Sequence, residues 1–292
     1  MVELAPAGDG LFAMGYAGDT FNTAWYLRHL LPEAEVDYLT AVGSDPTSDA
    51  MVDFMTSAGI GTAHVQRVAG RTVGLYMIRL EKGERSFAYW RSASAARCLA
   101  DDAERLGLAL AKADLAYLSG ITLAILSEAA RTRLAAELRT ARKRGVRVAF
   151  DPNLRPALWP EAAAMRAAVT EFASVADVVL PSFDDEARYF GDPDPAETAR
   201  RYGRAGAPLV VVKDGGNPVV TLSGGPLVWH RLVQQVADPV DTTAAGDSFN
   251  AGFLAAHLTG MALEGAVANG AALAARVIRA PGALVLSAVT KG

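Results

Sequence analysis

The sequence D-T-T-A-A-G-D-S-F-N-A-G-F-L-A-A, residues 241–256, places an acid, Asp247, where a run of small residues becomes an apolar helix pattern. Apolar residues at helical spacing, ended by Gly260, predict a helix over 247–258. The three residues before Asp247 have almost no side chain, so their N–H groups are free to approach an anion at the positive helix end. These residues are Ala244, Ala245 and Gly246. The stretch therefore predicts a main-chain cradle for a phosphoryl group.

Asp247 has a chemical role beside such a cradle. Its carboxylate can accept the proton of a hydroxyl as that oxygen attacks phosphorus. The helix end is expected to keep this carboxylate ionised at neutral pH. The alternative is that Asp247 only caps the helix. Neither G-x-x-x-x-G-K-[ST] nor G-x-G-x-x-G after a strand occurs in the chain, so a nucleotide would be bound by another arrangement.

Short apolar runs alternate with long helical segments along most of the chain. The predicted strands are 36–42, 114–119, 146–150, 178–180 and 209–212, and the clearest helices are 127–144, 160–174 and 262–278. Alternation of this kind predicts parallel βαβ units with helices on both faces of a sheet.

One region departs from this alternation. Segments 62–68, 72–80 and 85–91 alternate apolar and polar residues, with turn signals at 69–70 and 82–83, and they leave no room for a helix. They predict antiparallel hairpins that form a lid. The predicted division is a core of residues 1–61 and 92–292 and a β lid of residues 62–91, with part of 10–17.

Composition excludes several classes of protein. The chain has 292 residues, a net charge of −4 and 51% hydrophobic residues, which is typical of a globular domain that does not bind nucleic acid. Cys98 is the single cysteine, which excludes an internal disulfide and fits a reducing cytoplasm. No stretch of 18 uninterrupted apolar residues and no signal-peptide pattern occurs, so we expect a cytoplasmic protein without a membrane partner.

The stretch 241–256 resembles the C-terminal signature of the ribokinase-like (PfkB) carbohydrate kinases, usually D-T-x-G-A-G-D-x-F, with Ala244 at the first glycine. AGDTFNTAWYL (17–27) and TAVGSDPTSDAM (40–51) resemble other signatures of that family. GRTVGLYMI (70–78), GERSFAYWRSASAAR (83–97), DPNLRPALW (151–159) and LPSFDDE (180–186) resemble its 2-keto-3-deoxygluconate kinase branch. The resemblance covers nearly the whole chain. It implies a three-layer α/β/α domain with a small β lid, and ATP-dependent phosphorylation of a sugar acid to its 6-phosphate.

The resemblance also implies substrate-binding residues. Gly18, Asp19 and Asn22 would hold sugar hydroxyls, while Tyr76, Tyr89, Arg91 and Arg155 would hold the carboxylate. Phenol and guanidinium groups suit a carboxylate chemically. The alternatives are that both tyrosines are ordinary strand residues and that Arg155 anchors a loop by pairing with Asp151.

For the nucleotide, the resemblance implies contacts from Ser182, Lys213, Gly215, Gly216 and Asn269. Glu186 would handle Mg²⁺ through water, although Ser182 stands where the family has asparagine. Some relatives bind K⁺ in the region of Asp241, Thr243, Ala280 and Gly282. Two other functions stay open: a related kinase acting on fructose, ribose or another deoxy-keto acid, and a non-catalytic sugar-acid sensor. Edge strands in the lid favour a dimer.

The family resemblance further implies a strand, ending in Gly-Glu, ahead of residues 1–4. Loss of part of a central strand would expose backbone groups and apolar surface. We expect a form extended upstream to melt at a higher temperature than the 292-residue form. Equal melting temperatures for the two forms would contradict this expectation.

Overall fold

The computed structural model describes residues 1–81, 84–231 and 236–290. The strands are β1 (Val2–Gly8), β2 (Leu11–Tyr16), β3 (Thr40–Val42), β4 (Val65–Arg67), β5 (Leu75–Glu81), β6 (Glu84–Trp90), β7 (Leu115–Ser119), β8 (Arg147–Asp151), β9 (Val178–Val179), β10 (Leu209–Val212), β11 (Val219–Ser223) and β12 (Val228–His230). The helices are α1 (Asp19–Leu30), α2 (Pro46–Ser57), α3 (Ala103–Leu110), α4 (Gly120–Ile125), α5 (Glu128–Lys143), α6 (Ala162–Val175), α7 (Phe183–Phe190), α8 (Pro195–Arg204), α9 (Ala245–Leu258) and α10 (Leu263–Val277).

The main sheet joins six of the described strands in the order β12-β11-β10-β9-β8-β7. The pairs from β7 to β10 are parallel, and the pairs β10–β11 and β11–β12 are antiparallel. The carboxyl ends of β7, β8, β9 and β10 therefore meet at one edge of the sheet. Open α/β sheets bind ligands at this edge.

Helices cover both faces of the main sheet. Phe150 of β8 and Val210 of β10 belong to one apolar cluster, with residues of α3, α5, α6 and α8. Their neighbours Ala149 and Val211 belong to a second cluster, with residues of α1, α2, α9 and α10. Alternate strand residues point to opposite faces, so the main sheet is the middle of three layers. This confirms the predicted three-layer α/β/α fold. Within the described ranges, no helix has the length and apolarity needed to cross a membrane.

A second sheet has the order β2-β1-β5-β6, and we call it the lid sheet. The predicted hairpin of β5 and β6 is antiparallel, with Tyr76 opposite Tyr89. Its predicted turn at 82–83 lies outside the described residues. The prediction that 62–68 belongs to an antiparallel hairpin is wrong, because β4 pairs in parallel with β3. Alternation predicts a half-buried strand but does not identify the strand with which it pairs.

Helices α9 and α10 approach each other through glycines. A Cβ added to Gly270 of α10 would lie 2.8 Å from the backbone oxygen of Phe249 in α9. A Cβ added to Gly252 of α9 would lie 2.9 Å from the backbone oxygen of Asn269 in α10. This close contact fixes α9, which carries Asp247 in its first turn.

We expect Gly270→Ala to lower the free energy of unfolding by about 1–3 kcal/mol, because the added methyl group forces two backbones apart. Gly265→Ala is the matched control on the same helix. Its Cβ would meet only the flexible side chain of Met261, at 2.8 Å, and alanine raises helix propensity by about 1 kcal/mol. Urea unfolding measures both variants. Equal stability of the two would contradict the close contact.

Candidate active site

The cradle before Asp247 is formed by a left-handed turn. Ala244 has φ 59°, and α9 begins at the next residue without a cap from any described side chain. The amides of the first turn therefore carry the positive end of the helix dipole. Asp247 lies in this turn, and its Oδ2 accepts a hydrogen bond from Nδ2 of Asn22 at 2.8 Å. The carboxylate is thus bonded to another helix, α1, instead of capping its own.

Helix α1 delivers the other residues predicted from its N-terminal sequence. The Gly18 amide donates to Oδ1 of Asn22 at 3.2 Å, which orients that side chain toward Asp247. Asp19, the first residue of α1, accepts a hydrogen bond from Nδ2 of Asn153 at 2.8 Å. The fold therefore brings Gly18, Asp19 and Asn22 to Asp247, more than 220 residues away along the chain.

The carboxyl ends of two strands form the floor of the site. Nζ of Lys213, which follows β10, donates to Oδ2 of Asp151 at 2.9 Å and to Oδ1 of Asn250 at 3.0 Å. Asp151 is the last residue of β8, and Asn250 lies one turn after Asp247 in α9. The sequence interpretation gave Asp151 only a pairing role and missed Asn250. The position of Asp151 at the end of a buried strand was the available signal.

The environment of Asp247 differs from the sequence expectation. Burial, together with the neighbouring charges of Asp19 and Asp151, raises the pKa of Asp247 from 3.8 to about 8. The hydrogen bond from Asn22 and the charge of Lys213 oppose this rise. The direction of this shift is opposite to the expectation that the helix end keeps Asp247 ionised at neutral pH, because burial and like charges raise the pKa of this carboxyl.

The lid sheet contributes an aromatic and basic surface. The rings of Tyr76, Phe87 and Tyr89 lie with centroids 6.1–6.3 Å apart, and the Arg91 guanidinium lies 4.2 Å from the centre of the Tyr89 ring. The Tyr76 hydroxyl donates to the carboxylate of Glu3. Burial lowers the pKa of Arg91, whereas the charge of Asp19 raises it, so this guanidinium lies within electrostatic range of the α1 terminus.

Arg155 and Glu186 lie in two different ion pairs. Arg155 pairs with Asp185 at 3.2 Å, so the alternative of a pair with Asp151 is wrong. Both carboxylate oxygens of Glu186 are bonded, one to Arg201 at 2.7 Å and the other to the Tyr202 hydroxyl at 3.0 Å. Glu186 is fully buried, and this burial raises its pKa to about 8. Its neighbour Asp185, which sequence reasoning missed, is the acid within electrostatic range of Asp151 and Lys213.

The residues predicted to bind a nucleotide fall into two groups. Ser182 pairs with Lys213 across an isolated parallel bridge, and the exposed turn with Gly215 and Gly216 follows directly. Asn269 is exposed on α10, and its amide donates to the Gly265 carbonyl at 2.9 Å. The structure thus brings Ser182 and Lys213 together but gives Asn269 no hydrogen bond to the cluster around Asp247.

The loop predicted to bind a monovalent cation is held by Asp241. Its Oδ1 accepts from the Thr243 amide at 2.9 Å, and its Oδ2 accepts from the Gly282 amide at 2.8 Å. Ala280 is two residues from Gly282, so the predicted segments do meet. Among the described residues, no group of three histidine, cysteine, aspartate or glutamate side chains has an arrangement that could hold a metal ion.

The sequence is similar to those of known carbohydrate kinases. A family model described as "pfkB family carbohydrate kinase" matches residues 9–289. The 2-dehydro-3-deoxygluconokinase of Dickeya dadantii is 38% identical over 98% of this chain and 94% of its own length.

Solved structures give the same fold. A PfkB protein from Polaromonas sp. JS666 superposes with a TM-score of 0.83 at 27% identity, covering 96% of this chain and 93% of its own. A putative ribokinase II from E. coli, in complex with ATP and Mg²⁺, superposes with a TM-score of 0.82 at 18% identity, covering 97% and 91%.

The raised pKa of Asp247 predicts how stability depends on pH. The folded state holds this proton more tightly than the unfolded chain, so the contribution to stability is full at low pH and is lost as pH rises toward 8. We expect Asp247→Asn to become progressively more stable relative to the wild type between pH 5 and about 8.5. Urea unfolding across this range measures the difference. Asp184→Asn, at an exposed acid of α7, is the control. A relative gain by the wild type at high pH would contradict the assignment.

Proposed function

Because the chain belongs to the pfkB family of carbohydrate kinases, we propose that it transfers the γ-phosphoryl group of ATP to 2-keto-3-deoxygluconate, forming the 6-phosphate. This sugar acid is the substrate named for the relative from Dickeya dadantii under its synonym 2-dehydro-3-deoxygluconate. The observation that carries the proposal is the position of Asp247, which lies beside the Ala244–Gly246 turn and is bonded to the substrate-side residue Asn22.

Asp247 acts as the general base in this proposal. Its ionised carboxylate accepts the proton of the primary hydroxyl while that oxygen attacks the γ-phosphorus. The amides of Ala244 and Gly246 and the end of α9 stabilise negative charge on the transferred group. Ala245, whose amide donates to the Thr242 carbonyl at 3.2 Å, shapes the turn. Because burial raises the pKa of Asp247, kcat/KM rises with pH until this carboxylate is ionised.

The carboxylate of the sugar acid binds between the lid and the core. Arg91 and Tyr89 supply charge and a phenol from the lid sheet, and Arg155 supplies a second guanidinium from the core. Tyr76 has a different role, because its hydroxyl already donates to Glu3 and so accepts a hydrogen bond from a sugar hydroxyl. Gly18, Asp19 and Asn22 complete the hydroxyl contacts.

ATP binds along the core side of the site. The first turn of α9, which no described side chain caps, has the chemistry of a phosphate site. Gly215 and Gly216 form an exposed turn at the end of the neighbouring strand. Ser182 and Asn269 remain predicted nucleotide contacts. Mg²⁺ would neutralise charge on the phosphates, and phosphate oxygens and water would be its main ligands. We assign to Asp185 the Mg²⁺-associated role that was predicted for Glu186, because both carboxylate oxygens of Glu186 are bonded in the core.

The lid sheet, formed by β1, β2, β5 and β6, acts as the lid over this site. Closure of the lid excludes water, which otherwise competes for the phosphoryl group. Its outer face carries exposed apolar side chains, among them Phe12, Met14 and Trp90. We propose that this face pairs with a second copy of the chain, since exposed apolar patches mark interfaces. Sedimentation of a Trp90→Lys variant tests the dimer.

Two other functions compete with this proposal. A related kinase acting on fructose, ribose or another deoxy-keto acid would use the same base and cradle but would not need the guanidinium groups of Arg91 and Arg155. A non-catalytic sugar-acid sensor would bind the acid without turnover. K⁺ at the loop of Asp241, Thr243, Ala280 and Gly282 is a further proposal, supported by the junction that Asp241 forms there.

A coupled ADP-release assay tests the proposed function. We expect turnover with the keto acids, 2-keto-3-deoxygluconate and 2-keto-3-deoxygalactonate, and little with fructose or ribose. Asp247→Asn should lower kcat by on the order of 10²-fold or more through loss of the base. Arg91→Met should raise KM for the acids more than for neutral sugars. Runs in potassium and sodium chloride test the cation.

Turnover on neutral sugars would support kinase activity but contradict the proposal of a sugar-acid substrate. Binding without turnover would favour the sensor. Near-normal turnover in the Asp247→Asn variant would reject Asp247 as the base.

A further inference from the structure

Lys213 occupies an unusual position for a lysine. Strand β10 is buried along its whole length, and Lys213 follows it with only 8% of its surface exposed. Its backbone is fixed from one side: the amide donates to Pro181, and the carbonyl accepts from Phe183. Burying a lysine to this extent costs folding free energy unless a partner matches its charge.

The ammonium is held by two partners that are themselves fixed. Oδ2 of Asp151 accepts from Nζ of Lys213 at 2.9 Å and from Nδ2 of Asn250 at 2.6 Å. Asn250 is fully buried; its Oδ1 faces Lys213, and its Nδ2 also donates to the Tyr117 hydroxyl at 3.0 Å. These three side chains form a closed triangle at the sheet edge, so the ammonium cannot swing toward solvent without breaking it.

The triangle lies directly beneath the cradle. A Cβ built on Gly246 would be 3.6 Å from Nζ of Lys213, so the ammonium nearly touches the turn that precedes Asp247. A hydrogen-bonded chain runs from Asp151 through the Asn153 amide, at 3.0 Å, and from the Asn153 side chain to Asp19, at 2.8 Å. Lys213 is therefore the cation on the sheet side of a corner that also holds Asp19, Asp151 and Asp247.

We propose that Lys213 is a positioning residue: its ammonium, fixed by Asp151 and Asn250 beneath Gly246, keeps Asp247 able to lose its proton in a corner crowded with acids. This inference rests on the proposed function and replaces the predicted contact of Lys213 with a nucleotide phosphate. The negative charge of Asp151 favours the protonated form of Asp247, so it opposes the effect of Lys213.

Other charged and titratable groups also face Asp247. Asp19 and Asn22 face it from α1, and the charges of Asp151 and Lys213 act from the sheet edge. Four tyrosines lie within electrostatic range, and burial raises the pKa of each, so they stay neutral. They are Tyr26, Tyr38, Tyr76 and Tyr117.

The test is the pH profile of kcat/KM in three variants. Lys213→Met should move the acidic limb to higher pH, which for one pH unit means about a tenfold loss at pH 7 that recovers at higher pH. Asp151→Asn should move the limb to lower pH. The double variant, which removes both charges, should lie between the two single variants. Arg142→Met, which breaks the Arg142–Asp177 pair of α5, controls for loss of an ion pair elsewhere and should leave the limb unchanged.

Opposite shifts with an intermediate double variant support the proposal, since a purely structural pair would not give opposite signs. An equal loss at every pH in Lys213→Met, or a raised KM for ATP with no shift of the limb, would overturn it. If Lys213→Met does not fold, the acidic limb of Asp151→Asn should still lie at lower pH than that of the double variant. The reverse order would overturn the proposal.

A second measurement does not depend on turnover. The carboxyl ¹³C signal of Asp247, assigned by its loss in Asp247→Asn, gives the titration midpoint directly. We expect the midpoint to be highest in Lys213→Met and lowest in Asp151→Asn, with the wild type and the double variant between them. If the wild type phosphorylates none of the sugars, the proposed function fails. The ordered midpoints would still support the charge balance, and unordered midpoints would reject it.

Discussion

Three carboxylates, those of Asp19, Asp151 and Asp247, share one corner of the molecule, and the remainder of the site is arranged around their mutual repulsion. Asp151 is neutralised by the ammonium of Lys213 at 2.9 Å. Asp19 and Asp247 each accept a neutral amide, from Asn153 and Asn22. Burial and the charges of Asp19 and Asp151 raise the pKa of Asp247, and the hydrogen bond from Asn22 offsets only part of this rise.

The fold explains why these acids meet. Parallel strands β8 and β10 end at the same edge of the main sheet, which places Asp151 beside Lys213. The beginnings of α1 and α9 reach that edge from the layer that packs on one face, and they bring Asp19 and Asp247. The second sheet carries Tyr76, Tyr89 and Arg91, which contact one another. Each element contributes one or two side chains from a well-packed support, so the geometry of the site depends on the core.

Much of the fold and part of the candidate site could be predicted from the sequence, for reasons that differ between elements. The buried strand β10 was predicted at its observed bounds, because continuous apolar runs have a clear signature. Asp247 was identified because small residues, an acid and a helix start coincide. Pairing partners are a property of the folded chain, so the parallel pair of β3 and β4 was missed. The pKa of Asp247 and the ion pairs of Asp185 and Glu186 depend on residues distant in sequence, which periodicity cannot report.

The left-handed turn at Ala244 has a consequence for the dynamics of the phosphate site. Glycine reaches φ near 59° without a steric penalty, whereas alanine at that angle is strained by roughly 1–2 kcal/mol. The same methyl group restricts the conformations open to the loop before it folds. The folded loop therefore has fewer alternatives to sample than a glycine loop would have. The amides of the cradle are aligned before an anion arrives, so less of the binding free energy is spent on ordering them.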